Sequence, residues 1–396
     1  MTQSPSDLLS AAQDVASEIV ELRRDLHANP ELGLQLPGTQ KRILDALTGL
    51  GLDITLGESV TSVVADLDTG REGPTVLLRG DMDALPLTED SDLPFKSTVE
   101  GRMHACGHDS HVAMLVGAAK LLSANKGELT GRVRFMFQPG EEGFHGARYM
   151  IEEGVLDGVD RAFAIHVDTS EPVGVVGCKG GAVLASSDEL HITVTGRGGH
   201  ASAPHIARDP IPAAAAMVGA FQTMVTREVD VFEPAVVTIA HIDSGTTNNI
   251  IPEIARMEGT IRTVSEATRA LVHTSVERVA SGIAEAYGCS CEVDIIKGYP
   301  VTVNDPAMAA LVERAAGWVL GDGRHVTSEK PSMGAEDFSY VLQKVPGAMM
   351  GLGAGPAAID ANTEIYSLHS NRMLLNEDVL GSGIAMHAAM VMTPPE

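Results

Sequence analysis

The segment His104-Ala105-Cys106-Gly107-His108-Asp109-Ser110-His111 packs three histidines and a cysteine into eight positions. These are side chains that an ion of the Zn²⁺ or Mn²⁺ type takes as ligands. Cys106 and His108 stand two apart, so on an extended segment they project to one side and can converge on a single ion, whereas on a helix they would diverge. A helix with Asp109 as its N-cap would leave both on the loop before it. Downstream, Gln138-Pro139-Gly140-Glu141-Glu142-Gly143 sets two adjacent carboxylates just past an apolar run. One carboxylate suits an ion, and the other suits taking a proton from a water that the ion acidifies. Asp81-x-Asp83 has the same period-two logic, and Asp83 is expected to fix the orientation of a ligand histidine. His166 and His369 extend the donor set. A solvated acidic loop would explain the Glu pair alone, and a buried cysteine beside surface histidines would explain the cluster alone; their co-occurrence favours a metal site that folding assembles.

The elements expected to position these residues alternate. Helices are expected over 6–28 and 39–50, the first ending at Asn29-Pro30, and strand-like runs over 62–67 and 75–78. A helix from Asp109 to Ser123, a strand over 133–138, a helix near 146–153 and a strand over 162–167 follow, and each motif falls at a strand end. That order argues for a three-layer α/β domain with a mostly parallel sheet. From about 186 the pattern changes to strand 190–194, helix 211–227, strands 235–241 and 254–262, helix 266–287 and strand 292–297. This βαββαβ order is that of an inserted α+β, ferredoxin-like domain. The first domain then resumes with helix 306–319, strand 325–328, a helix from Ala335, strand 348–352 and helix 376–391. The expected division is 1–185, 186–297 and 298–396. Gly196-Arg197-Gly198-Gly199 lacks the phosphate-loop pattern and reads as a tight turn presenting His200.

At 396 residues the chain exceeds the roughly 250–300 at which single cores stop growing. It is 44% hydrophobic and 20% charged, with 28 Lys+Arg against 53 Asp+Glu and a formal net charge of −25. That balance disfavours nucleic acid and anionic membrane as partners, so an anionic substrate needs a local positive site. No apolar stretch spans a bilayer and the N-terminus has no secretory pattern, so a cytoplasmic chain is expected. Cys106, Cys178, Cys289 and Cys291 form no secreted-type disulfide framework.

Taken together, the stretches Arg79–Pro86, Met103–Asp109, Phe137–Gly143, Gly198–Ser202, Asn248–Pro252 and Glu336-Asp337-Phe338 resemble the amidohydrolase branch of the aminoacylase/carboxypeptidase di-metal peptidases. Hippurate hydrolase, auxin-conjugate amidohydrolases and N-acetyl-diaminopimelate deacetylase belong to that branch. The resemblance implies two divalent metal ions per subunit, Zn or Mn before Co or Ni, held by Cys106, His108, Glu142, His166 and His369. It implies Glu141 as general base, His200 as a catalytic group at the substrate carbonyl, and Asn249 and Arg262 on the substrate carboxylate. The inserted domain would be a lid that forms a homodimer. Wider relatives carry His-x-Asp where this chain has Asp81-Met82-Asp83, and the Cys106 thiolate looks like the replacement ligand. Gly140 stands where Ala is common, and Asn371-Arg372-Met373 departs from the usual Pro-Arg-Phe.

The expected activity is hydrolysis of N-acyl amino acids to a carboxylic acid and a free amino acid. A dipeptidase or carboxypeptidase on the same metal site is the rival enzyme, and an inactive acyl-amino-acid binding protein is the rival from another class.

Overall fold

The structure, a computed structural model, describes residues 4–357, 359 and 364–393. The chain divides into two compact units. The first comprises Met1–Gly181, Val303–Glu329 and Tyr340–Glu396, and the second Ala182–Thr302 and Lys330–Ser339.

The first unit is α/β, built on an eight-stranded sheet. Its order is Asp53–Leu56, Val63–Asp68, Arg132–Gln138, Thr75–Asp81, Arg161–Pro172, Gly347–Gly355, Val176–Gly177 and His325–Val326. The central run from Arg132–Gln138 to Gly347–Gly355 is parallel throughout. Val63–Asp68 joins it antiparallel. In Thr75–Asp81 every residue after the first is buried, as a strand covered on both faces requires. The helices His108–Ala124 and Val379–Met392 are buried almost all round. Pro5–Ala28 packs on both, with Leu8, Ala12, Ile19 and Leu26 in the common core.

The second unit carries a four-stranded antiparallel sheet in the order Ala235–Ser244, Ile254–Thr263, Asp188–Thr195 and Ser290–Lys297. With helices Pro210–Glu228 and Glu266–Ala286 between its strands, this is the layout of a split βαβ sandwich. Leu190, Ile192 and Val194 alternate inward to meet Met217, Phe221, Val272 and Val276. Asp209 and Ser265 cap the two helices by accepting from Ile211 N–H and Thr268 N–H. Asp188 is buried and ties strand to helix: Arg269 donates to it at 2.5 and 2.9 Å, and His273 Nε2 stands 2.7 Å away. Burial would raise this carboxyl, but His273 and Arg269 outweigh it and bring it down to about 2.

Three local expectations are corrected. The helix expected from Ala335 is confined to Ser339–Leu342. The Glu336 carboxylate accepts from Phe338 N–H and Ser339 Oγ donates to the Glu336 carbonyl, local bonds that compete with a helix. The strand expected over 162–167 extends through Arg161–Pro172. Asp109 is not an N-cap: the helix begins at His108, with Gly107 capping at φ 81°. The Asp109 carboxylate is instead buried against Arg23 Nε at 2.9 Å and His27 Nδ1 at 2.8 Å.

Candidate metal centre

Every ligand candidate named from the sequence lies in the first unit, at the carboxyl end of a parallel strand or on the segments beside it. Cys106 is held on the turn before the His108–Ala124 helix. Gly107 takes a left-handed φ of 81°, and a Cβ there would lie 2.5 Å from Val167 Cγ2, so glycine is favoured on both counts. His108 opens the helix, and its Nδ1 meets the main-chain carbonyl of Asp83 at 2.8 Å. A carbonyl only accepts, so Nδ1 carries the proton and Nε2 is the atom left to ligate. His166, on Arg161–Pro172, is fixed in the same way by the Val167 carbonyl at 2.8 Å, with Nε2 3.4 Å from Cys106 Sγ.

Asp83 also organises the carboxylate pair. Glu141 N–H donates to its Oδ1 at 2.9 Å and Glu142 N–H to its Oδ2 at 3.0 Å. The expected orienting of a ligand histidine thus runs through the Asp83 main-chain oxygen, while its side chain sets the two glutamates. Gly140, just before them, has φ 71°, and a Cβ there would meet Leu34 Cδ2 at 2.5 Å. Glycine suits this departure from the related pattern.

His369 arrives from far along the chain. Its N–H donates to the Ala105 carbonyl at 2.8 Å, and flanking Leu368, Met373 and Leu375 pack on Met103 and Ala105. Its φ of 67° is unfavourable for a residue with a Cβ and concentrates strain at this corner. Met373 is buried, while Arg372 lies over the Tyr366 ring at 4.5 Å.

Ligand atoms of Cys106, His108 and His166 lie within 4.8 Å of one another, as do those of Cys106, Glu142 and His369, and those of His108, Glu141 and Glu142. Cys106 is common to the first two groups. His108 Nε2 and Glu142 Oε1 are buried without a hydrogen-bond partner among the described residues; Asp81 Oδ2 at 3.4 Å and His369 Nε2 at 3.3 Å stand near them without hydrogen-bond alignment. Buried orphaned acceptors facing a thiolate and further imidazoles are what a divalent ion would satisfy, so the residues fit two ions.

The protein's own charges prepare this set. Burial would raise the Cys106 thiol, but His166 and His108 outweigh it and bring it down to about 6. Burial would lower His166, but the Cys106 charge raises it to about 9. The adjacent Cys106 and Glu142 side chains raise His369 to about 10. Burial would lower His108 too, but the Asp81 and Cys106 charges outweigh it and raise it well above its usual range, so an entering ion must displace the protons on His108, His166 and His369. Apparent metal affinity should therefore rise with pH between 6 and 8, by about tenfold per pH unit for each proton displaced. Metal titrations in weakly buffered solution, reading proton release, check this; uptake independent of pH would contradict it.

The sequence motif also contained residues whose roles only the fold shows. Among the described residues, His104 is buried with neither ring nitrogen hydrogen-bonded and joins no ligand group, and burial brings it down to about 3. His111, one helical turn from His108, meets Asp81 Oδ1 at 2.6 Å. Asp81 Oδ2 accepts from Arg79 Nη1 at 2.6 Å, and Arg79 Nε donates to Gln138 Oε1 at 2.9 Å. Burial would raise Asp81, but the Arg79 charge outweighs it and holds the carboxyl well below its usual range. Replacing Arg79 with Leu strands that charge and should cost about 3–5 kcal/mol of stability, measurable by denaturant unfolding.

His200, Asn249 and Arg262 lie in the second unit. Gly199–His200 pairs with Ile250–Ile251, and Ala201 N–H donates to the Asn249 carbonyl at 3.1 Å, so His200 and Asn249 are neighbours. Arg262 lies on Ile254–Thr263, half-buried, with Nε donating to Thr260 Oγ1 at 3.2 Å. Ser202 N–H donates to His200 Nδ1 at 3.1 Å. Nδ1 is therefore an acceptor, and the exposed ring keeps its proton on Nε2 as an outward donor.

Comparison with known proteins points to one family. The sequence model described as Peptidase family M20/M25/M40 matches residues 77–393. The chain is 41% identical over 389 residues to thermostable carboxypeptidase 2 of Saccharolobus solfataricus, covering 97% of each. It is 39% identical over 338 residues to N-acetylcysteine deacetylase of Bacillus subtilis, covering 85% of this chain and 88% of the other. Among solved structures, the Bacillus subtilis YxeP protein, described as a dinuclear metal-binding peptidase of the M20 family, superposes with a TM-score of 0.83. It is 35% identical and the match covers 96% and 98% of the two chains. By sequence and fold alike, this chain is a member of the M20/M25/M40 peptidase family.

Proposed function

We propose that the protein is a metal-dependent amidohydrolase that cleaves the amide bond of N-acyl amino acids. The observation that carries this is the convergence of two ligand triads on Cys106 with Glu141 beside them. Two divalent ions, of Zn or Mn type by donor chemistry, would be held by Cys106, His108, Glu142, His166 and His369. When bound they supply Lewis acidity at the amide carbonyl and make the attacking water more acidic. Glu141 takes the proton of that water and delivers it to the leaving amine. Asp83, through the two glutamate amides, holds the base in place. His200 is assigned to the carbonyl oxygen because its outward Nε2–H is a donor suited to developing negative charge. Asn249 and Arg262 are assigned to the substrate carboxylate, Arg262 supplying the local positive charge that an anionic substrate needs.

The second unit is assigned as a lid and as the contact of a homodimer. Ala235–Ser244 is one of the two edge strands of its sheet, with Val236 and Ile242 exposed at 40% and 49%. Among the described residues no helix is long and apolar enough to cross a membrane, and a cytoplasmic location is proposed.

The test is free amine released from a panel of N-acyl amino acids and matching dipeptides, before and after chelation and metal add-back. Chelator-sensitive release from the acyl series supports the amidohydrolase. Release from dipeptides alone moves the chain to the carboxypeptidase reading that the Saccharolobus relative's name represents. A metal-loaded chain that releases nothing favours a binding protein.

A further inference from the structure

We infer that His111 is a positioning residue for the ligand His166, acting through the Val167 backbone, with Asp81 and Arg79 fixing which of its ring nitrogens carries the proton. This rests on the metal-centre reading and assigns a part to residues that reading leaves unused.

The geometry runs in one direction. Val167 N–H points at His111 Nε2, 2.9 Å away. A main-chain N–H only donates, so Nε2 must be the bare nitrogen and Nδ1 must carry the proton, which goes to Asp81 Oδ1 at 2.6 Å. The other Asp81 oxygen is occupied by Arg79, which keeps Asp81 ionised and an acceptor. Val167 is the residue whose carbonyl receives His166 Nδ1–H. His111 therefore anchors one polar group of Val167 while the other aims His166. The His111 and His166 rings meet edge to face with centroids 4.9 Å apart, so a shift of the Val167 backbone would displace the ligand ring directly. The anchoring side is buried: Arg79, Asp81, His111 and Val167 are at most 1% exposed, and water cannot readily replace a lost partner there.

A group that merely fills space would be replaceable by an apolar residue. One that anchors Val167 N–H while donating to Asp81 would be replaceable only by a side chain carrying both an acceptor and a donor. Glutamine does; leucine does not.

The experiment compares the metal-stripped full chain with His111→Leu, His111→Gln and His111→Asn, using Co²⁺ as probe. Ions bound per chain are read by equilibrium dialysis over a range of buffered free Co²⁺, and the Cys106 thiolate-to-cobalt absorption band reports the ligand geometry. Thermal unfolding confirms that each variant is folded. In His111→Leu, binding of one of the two ions should weaken by roughly 10–100-fold and the thiolate band should shift, while His111→Gln stays close to the parent in both. His111→Asn, too short to span Asp81 and Val167 together, should resemble the leucine variant and serves if that variant does not fold. Parent-like cobalt binding by folded His111→Leu or His111→Asn would overturn the inference, as would glutamine being as damaging as leucine. A parent chain taking up no Co²⁺ would instead overturn the metal-centre reading, and this inference with it.

Discussion

Glu141→Gln is expected to lose on the order of 10²–10⁴-fold in kcat while still binding two ions and unfolding like the parent. The substitution keeps the shape of the side chain and leaves the Glu141 N–H bond to Asp83 untouched. Glu141 shares one group of ligand atoms with His108 and Glu142 and a second with Glu336 and Asp337, and the amide keeps an oxygen in both. What it removes is the capacity to take a proton from water and return it to the leaving amine. Steady-state rates alongside metal analysis separate the two consequences. A variant with full metal and substantial turnover would sink the assignment of Glu141 as base, and a variant that loses its metal would make Glu141 a ligand.

Cys106→Ala is expected to have the largest effect on metal content. The thiolate is the vertex shared by the His108/His166 and Glu142/His369 groups, so its removal should weaken both ions. The loss should exceed the roughly 10–100-fold that removing a neighbour of a ligand costs, and turnover should disappear with it. Elemental analysis after gel filtration, with the parent and Cys106→Ser in parallel, provides the measurement. Full retention of both ions in the alanine variant would show that the cysteine is a bystander. The same residue offers an independent check: with its thiol at about 6 against about 12 for Cys178, Cys106 should be the thiol of the pair that an alkylating reagent labels at neutral pH, and bound metal should protect it.

Much of this site is legible in the sequence, because its ligands fall in short clusters at the ends of apolar runs. Cys106, His108, Glu141 and Glu142 announce themselves by residue type and spacing. The second unit was equally legible, since Asp188–Thr195 alternates strictly and both of its helices begin at capping residues. What spacing could not supply were pairings set by strand order. That His111 meets Asp81 and Val167 depends on Thr75–Asp81 and Arg161–Pro172 lying side by side, and no local pattern encodes that. His111 did carry a usable signal, its one-turn separation from His108 on a helix. Asp109 misled for a related reason: an acid at a helix start is ordinarily a cap, but here Arg23 and His27, some eighty residues earlier, claim it. The helix expected from Ala335 failed because side-chain bonds within Glu336–Ser339 satisfy the backbone locally.

The place of Gly347–Gly355 in the sheet bears on how the protein is made. This strand sits inside the parallel run, hydrogen-bonded to Arg161–Pro172, yet a ribosome delivers it only after the whole of the Ala182–Thr302 segment has emerged. The nascent chain can therefore complete the bulk of its second unit while the first still waits, its sheet open along an unpaired buried edge. His369 emerges later still. Such long-range pairing is slow to form and leaves sticky surface exposed meanwhile, so metal capture should be a late event, and polypeptides released before residue 369 should be both metal-poor and prone to aggregate.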